Sequence, residues 1–312
     1  MSSIESILTA LRDTDQALAE LKALAGETPD DTIVGINIFA VARRRAFLER
    51  ELGQVLHRRQ TDLIEVRFEA EGGAPAAATG VFASIAAFQA LLTETYASLP
   101  GEADGPAEER VALSFAGGTN DPAGVTLGFL NDRLLAIPSR TEMALENALA
   151  LLTARGEPRI RALVGEVGLR GVAAARQWAH VSTENRFGVS IRWQKSGTVD
   201  RVVQIPASRA EVLRTTIDGI RDHTVETIVA DGELLGFDPI TGVFRLETAT
   251  GLLAGRLAPD FVGAGAVRLR TRYSATLSLT ATVDYATALR DEAFELHTLV
   301  PKGGSGAIPR PR

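Results

Sequence analysis

The stretch Val267-Arg-Leu-Arg-Thr-Arg-Tyr-Ser-Ala-Thr-Leu-Ser-Leu-Thr-Ala-Thr-Val-Asp-Tyr285 constrains the fold more than any other part of the chain. Val267, Leu269, Tyr273, Ala275, Leu277, Leu279, Ala281, Val283 and Tyr285 share one parity, broken only by Thr271, and polar side chains take the other. A period of two is the pattern of a strand with one dry face and one wet face. Fully extended at about 3.3 Å per residue, the stretch would run about 60 Å. A domain of about 90 residues is only about 30 Å across. The strand must therefore bend, break or cross between sheets, which points to a small antiparallel β-barrel or sandwich curled around it.

Shorter strands of the same kind are expected around it, at Thr224 to Ala230, Gly232 to Phe237, Val243 to Thr248, Leu252 to Leu257 and Ala293 to Val300, with turn chemistry at Asp238-Pro-Ile-Thr-Gly242 and Thr248-Ala-Thr-Gly251. Ahead of them the helical period returns. Ser2 to Ala25 reads as a helix opened by the capping box Ser2-Ser-Ile-Glu5. Its Ile4, Ile7, Leu11, Leu18 and Leu21 occupy heptad positions, with Thr14 the polar exception. Pro29-Asp-Asp31 turns the chain into a second helix, Asn37 to Arg59, with Ile38, Val41, Leu48, Leu52 and Val55 on one face. Next come a strand at Leu63 to Glu69, a helix at Val81 to Leu99, and a hairpin whose arms carry Val111, Leu113, Phe115 and Val125, Leu127, Phe129. Capping boxes at Ser139-Arg-Thr-Glu142 and Ser208-Arg-Ala-Glu211 open two more helices. Between them lie short helices broken near Gly168 and strands at Phe187 to Trp193 and Val199 to Ile205. The fold class is therefore α+β: an N-terminal helical hairpin (1–60), an α+β layer (61–222), a small antiparallel β-barrel (223–300) and a disordered tail (301–312).

Composition excludes several function classes. The chain has 312 residues, no cysteine and a net charge of -6. Disulfides, thiolate chemistry and Cys-based zinc sites are ruled out. The bulk charge does not favour nucleic acid or an anionic membrane. No apolar run approaches a membrane span of roughly 20 residues, and the charged N-terminus is unlike a signal peptide, so cytoplasm is the default compartment.

No catalytic motif stands out. His57, His180, His223 and His297 have no second His at metal spacing, and a phosphate-binding loop, GxGxxG and a GxSxG elbow are all missing. Asp231, Glu233 and Asp238 read as turn formers rather than metal ligands. The chain thus carries no assigned catalytic residue, metal or cofactor. Two surface features remain. Arg268, Arg270 and Arg272 would share one strand face about 7 Å apart, a ladder suited to an anionic surface or to a solvated edge. The heptad residues Ile4, Ile7, Leu11, Leu18 and Leu21 would suit an oligomer or partner contact. The expectation is a non-enzymatic interaction and assembly subunit of a larger complex, meeting a protein partner or its own copies. The alternatives are a nucleic-acid-associated subunit using the Arg face and a carboxylate-dependent hydrolase. A bacterial source and a phage-defence context are suppositions with no residue behind them.

Overall fold

Two helices open the computed structural model, α1 (Ile4–Glu27) and α2 (Thr32–Arg59). The structure describes residues 3–27, 32–70, 72, 76–101, 105–119, 123–131, 138–195, 198–263 and 266–302. The Pro29 to Asp31 turn and most of the expected tail lie outside these residues. Ser3 caps α1, its Oγ accepting from the Ser6 amide at 3.1 Å, and Ser2 of the expected capping box lies outside the described residues. The polar heptad exception is resolved locally: Thr14 is buried, and its hydroxyl donates to the Ala10 carbonyl at 2.6 Å.

The chain continues through β1 (Thr61–Ala70), α3 (Ala78–Ser98), the single turn α4 (Ala107–Arg110), β2 (Ser114–Gly118) and β3 (Gly124–Leu130). It then forms α5 (Arg140–Leu152), α6 (Glu157–Glu184), β4 (Phe187–Lys195), β5 (Thr198–Ile205) and α7 (Ala207–Gly219). The five strands form an antiparallel sheet in the order β2-β3-β1-β4-β5. The central strand β1 alternates. Val66 and Phe68 meet Phe88 of α3 and Trp178 of α6, while Leu63 joins Ile7, Leu48, Leu52 and Leu56 beneath the hairpin. Hairpin root and sheet thus share a core, and both belong to one compact unit, Met1–Ile220. The expected separate hairpin domain at 1–60 is therefore not free-standing.

Capping chemistry works at one of the two later boxes. Ser139 accepts from the Glu142 amide at 3.1 Å, as the sequence predicts. At the other, α7 begins two residues early and Pro206 takes the cap position, so Ser208 lies inside the helix and caps nothing. Gly168 interrupts α6 with φ 71°, where the sequence predicts a break. A Cβ at this position would strike the Ser98 hydroxyl at 2.2 Å.

A buried polar chain ties the sheet to α5. Asp62 is 3% exposed and accepts from Asn131 Nδ2 at 2.7 Å and Trp193 Nε1 at 3.3 Å. Ser139 Oγ donates to Asn131 Oδ1 at 2.6 Å. Nearby, Lys195 reaches the buried Glu142 at 2.5 Å and Asp200 at 3.1 Å. Burial lowers the Lys195 pKa, but these two carboxylates outweigh it and hold the ammonium above its usual value. Its contribution to stability is present below the ordinary lysine pKa and is lost as pH rises through the raised one.

The second unit, Arg221–Arg312, contains β6 (Arg221–Asp238), β7 (Val243–Thr248), β8 (Gly251–Gly263), β9 (Arg272–Asp284) and β10 (Leu289–Pro301). Hydrogen-bonded pairing returns on itself in the order β10-β8-β7-β6-β9. Leu234, Phe244, Leu246, Tyr273, Ala275, Leu277, Leu296 and Leu299 form its core. Two expectations are corrected. The strands expected at Thr224 to Ala230 and Gly232 to Phe237 are one continuous β6, which pairs with β9 over Arg221 to Glu233 and with β7 from Gly232 onward. Gly232 permits the crossing, since a Cβ there would sit 2.4 Å from the Glu247 carbonyl. The pairing is also not wholly antiparallel, because β8 and β10 run parallel. An odd ring of strands cannot alternate direction all the way round, so five strands require one parallel pair.

The long alternating stretch breaks, as its length demands. Leu269 and Arg270 form a turn, Arg270 with φ 57°, and the strand starts only at Arg272. The Tyr273 hydroxyl pins the preceding loop, accepting from the Arg268 amide at 2.9 Å and donating to its carbonyl at 3.3 Å.

Two stability predictions follow from these cores. Leu277 is fully buried, so Leu277→Arg strands a charge in the second core and should cost several kcal/mol, on the order of 4. Thr276→Arg on the opposite face should cost about 0.5 kcal/mol or less; chemical denaturation of the two variants measures the difference. Asp62→Ala leaves the Asn131 amide and the Trp193 indole without their acceptor. At about 1–3 kcal/mol per buried unsatisfied group, it should lower the stability of the first unit by about 3 kcal/mol in the same measurement.

Candidate functional site

The residues singled out by periodicity fall in places that periodicity does not reveal. Ile7 is buried, and Ile4 and Leu11 pack against the same cluster at the hairpin root. Leu18 and Leu21 are half-buried farther up α1. The root of the heptad stripe is therefore turned into its own unit. The physical reason is proximity: α2 follows α1 directly and takes the stripe first.

Arg268, Arg270 and Arg272 are all exposed, but they do not form the expected ladder. Only Arg272 lies on β9, opposite Glu233; the other two belong to the loop and turn before it. The nucleic-acid alternative loses the strand face on which it was argued. Two of the three acidic residues of β6 have local work. The Asp231 carboxylate pairs with Lys302, and Asp238 accepts from the Ile240 amide and the Thr241 hydroxyl to close a turn. Both are held below the usual carboxylate pKa, Asp231 chiefly by Lys302 and Asp238 chiefly by Thr241.

Three features emerge that one-dimensional reading misses. The first is the outer face of α2. Ile36, Phe39 and Phe47 are 62%, 71% and 57% exposed, and with Arg43 and Arg50 they fall within an arc of about 80° on a helix of 3.6 residues per turn. The opposite side of α2 buries Leu48, Leu52, Val55 and Leu56. Here the signal was available in the sequence, as a second apolar stripe on a helix that already had one.

The second is a cleft at the hairpin root, with a cavity of about 210 Å³. Its floor is the outer face of the sheet, where register sets Thr126, Glu65 and Arg192 side by side across β3, β1 and β4. Its roof is α1 and α2, contributing Leu8, Arg12, Asp15, Arg45, Glu49 and Leu52. Gly117 and Gly118 of β2 let α1 lie close, with Leu8 over one and Arg12 over the other. Arg45 joins the helices, held by Asp15 at 2.6 Å and Glu49 at 2.7 Å, and the Asp15 hydrogen bond above all raises its pKa. Arg67 bonds Glu65 at 2.6 Å through Nη2, and Arg192 stands 4.0 Å from the same carboxylate. No sequence motif links Arg12, Arg67 and Arg192, which arrive from three separate elements.

The third is a hydrogen-bonded series on the second unit. Ser278 Oγ lies 2.7 Å from His297 Nε2, and His297 Nδ1 lies 3.2 Å from Asp260. His297 sits where the β10 register shifts. The order of groups matches a nucleophile, base and acid, but Asp260 is 78% exposed. In a working relay that carboxylate is buried; here solvent screens it, and the series secures the irregular strand. Among the described residues no group of three or more His, Asp or Glu is placed to hold a metal ion, and no helix is long and apolar enough to cross a membrane.

Comparison of the chain with protein-family models, curated proteins and solved structures finds no match.

Proposed function

We propose that this chain is a non-enzymatic assembly subunit whose helical hairpin is the contact arm. The observation that carries the reading is the aligned exposure of Ile36, Phe39 and Phe47 on α2. Single exposed apolar residues are ordinary on any surface, whereas an aligned stripe marks a face that a partner covers. Burying each of these side chains is worth about 1.5–3 kcal/mol.

Charge supports a second copy as that partner. On the outer face of α2, Arg43 and Arg50 interleave with the apolar residues, and α1 exposes Glu5, Asp13 and Glu20. Two hairpins brought together as a four-helix bundle set α2 of one copy against α1 of the other, opposite charges facing. A two-fold arrangement repeats each contact, so one stripe serves twice. The second unit, read as a small β-barrel, is a separate module. A different protein with an apolar, acid-rimmed surface would use the same α2 face.

Light scattering and sedimentation test this directly. Phe39→Asp with Phe47→Asp should lower the particle mass to that of one chain while leaving the circular dichroism and thermal midpoint close to wild type, because both side chains are already exposed. Leu11→Glu, in the root core, should instead lower the midpoint. A wild-type chain that is monomeric at every concentration, alone and in extracts of its host, rejects the arm.

A further inference from the structure

The cleft at the hairpin root has a charge balance that does not close. Four guanidiniums, Arg12, Arg45, Arg67 and Arg192, line it with three carboxylates, Asp15, Glu49 and Glu65. Asp15 and Glu49 are taken by Arg45, and Glu65 by Arg67 with Arg192 beside it. Arg12 is left over: among the described residues no carboxylate lies at ion-pair distance from it. The hydrogen bond it makes is a long one, Nη2 to the Thr9 hydroxyl at 3.4 Å, and its Nε is shut away from water without an acceptor. A guanidinium with one N–H shut off from water and without an acceptor, and with no counter-charge in reach, is in an unfavourable place, and a bound anion would offset that cost.

We propose that this cleft binds a small oxyanion ligand, one phosphate or carboxylate group on a compact body, with Arg12 as its principal cation. The excess of one positive charge sets the preference for a single negative group. Arg192, Thr126 and Gln194 supply further donors from the sheet floor. Leu8, Leu11, Leu52 and Leu63 form an apolar wall for the rest of the ligand. The space of about 210 Å³ is many times the roughly 10–15 Å³ that one water needs by the same measure, so it exceeds a bare ion. The site stands independently of the assembly reading, since none of these residues belongs to the Ile36, Phe39 and Phe47 stripe.

The experiment is a titration of the full chain with inorganic phosphate and, separately, with acetate, at ionic strength held constant with sodium chloride. Calorimetry and the thermal midpoint are the readouts. At least one anion is expected to bind and to raise the midpoint with the logarithm of its concentration; the tighter of the two identifies the headgroup. Arg12→Met keeps an apolar stem and removes the charge, and should weaken binding about tenfold or more, the usual scale for a charged hydrogen bond. Arg43→Met, on the outer face of α2, should bind as wild type does. Should Arg12→Met fail to fold, Arg192→Gln on the sheet floor is read in its place, with a loss of affinity expected. The proposal is overturned if neither anion binds, if chloride alone reproduces the shift, or if the cleft variant binds as tightly as wild type.

Discussion

The first unit depends on the two-sidedness of β1. Its even residues Ile64, Val66 and Phe68 enter the helical layer, and Leu63 on the odd side closes the root of the hairpin. Beyond Leu63 the odd side opens to solvent at Arg67 and Glu69, whereas a polar residue in the buried part of the strand needs partners. Asp62 has its partners in Asn131 and Trp193. Glu65 and Arg67 lie beside the cavity and satisfy each other. The cleft is the part of the outer face that the hairpin roofs without filling.

The hairpin shows how one helix serves two interfaces. Near its root, α2 spends Leu48, Leu52 and Val55 on the sheet and α1, and farther out Ile36 and Phe39 turn away while Val34 stays buried. A heptad stripe specifies only that some helix must cover it. When the next helix in the chain is tethered by a short link, its effective concentration exceeds that of any separate molecule, and the stripe is consumed internally. What remains for assembly is the surface the hairpin did not need.

In the second unit, strand number governs direction. Once β6 runs uninterrupted from Arg221 to Asp238, the ring has five strands and parity requires the parallel β8–β10 pair. The irregularities follow from fitting long strands into a small ring. Register shifts occur at Leu235 in β6 and at His297 in β10, and Gly255 accepts a backbone approach in which a Cβ would lie 2.1 Å from the Phe294 carbonyl. Bulges of this kind increase local twist and let a strand turn a corner.

Local periodicity determined much of this architecture. Alternation from Tyr273 to Val283 places Tyr273, Ala275, Leu277 and Ala281 inside, the Ser139 box starts α5, and Gly168 breaks α6, because each depends on the chain within a few residues. Extrapolation failed where a local pattern outlasted its cause: the Arg268 and Arg270 parity continues through a turn whose positive φ ends the strand. The tertiary structure alone decided the rest. Whether α1 meets α2 or another chain, whether five strands or six close the ring, and which arginines share a cleft are settled by elements far apart in sequence. Arg12, Arg67 and Arg192 come from α1, β1 and β4, and only the antiparallel register and the helix laid over Gly117 and Gly118 bring them to one cavity.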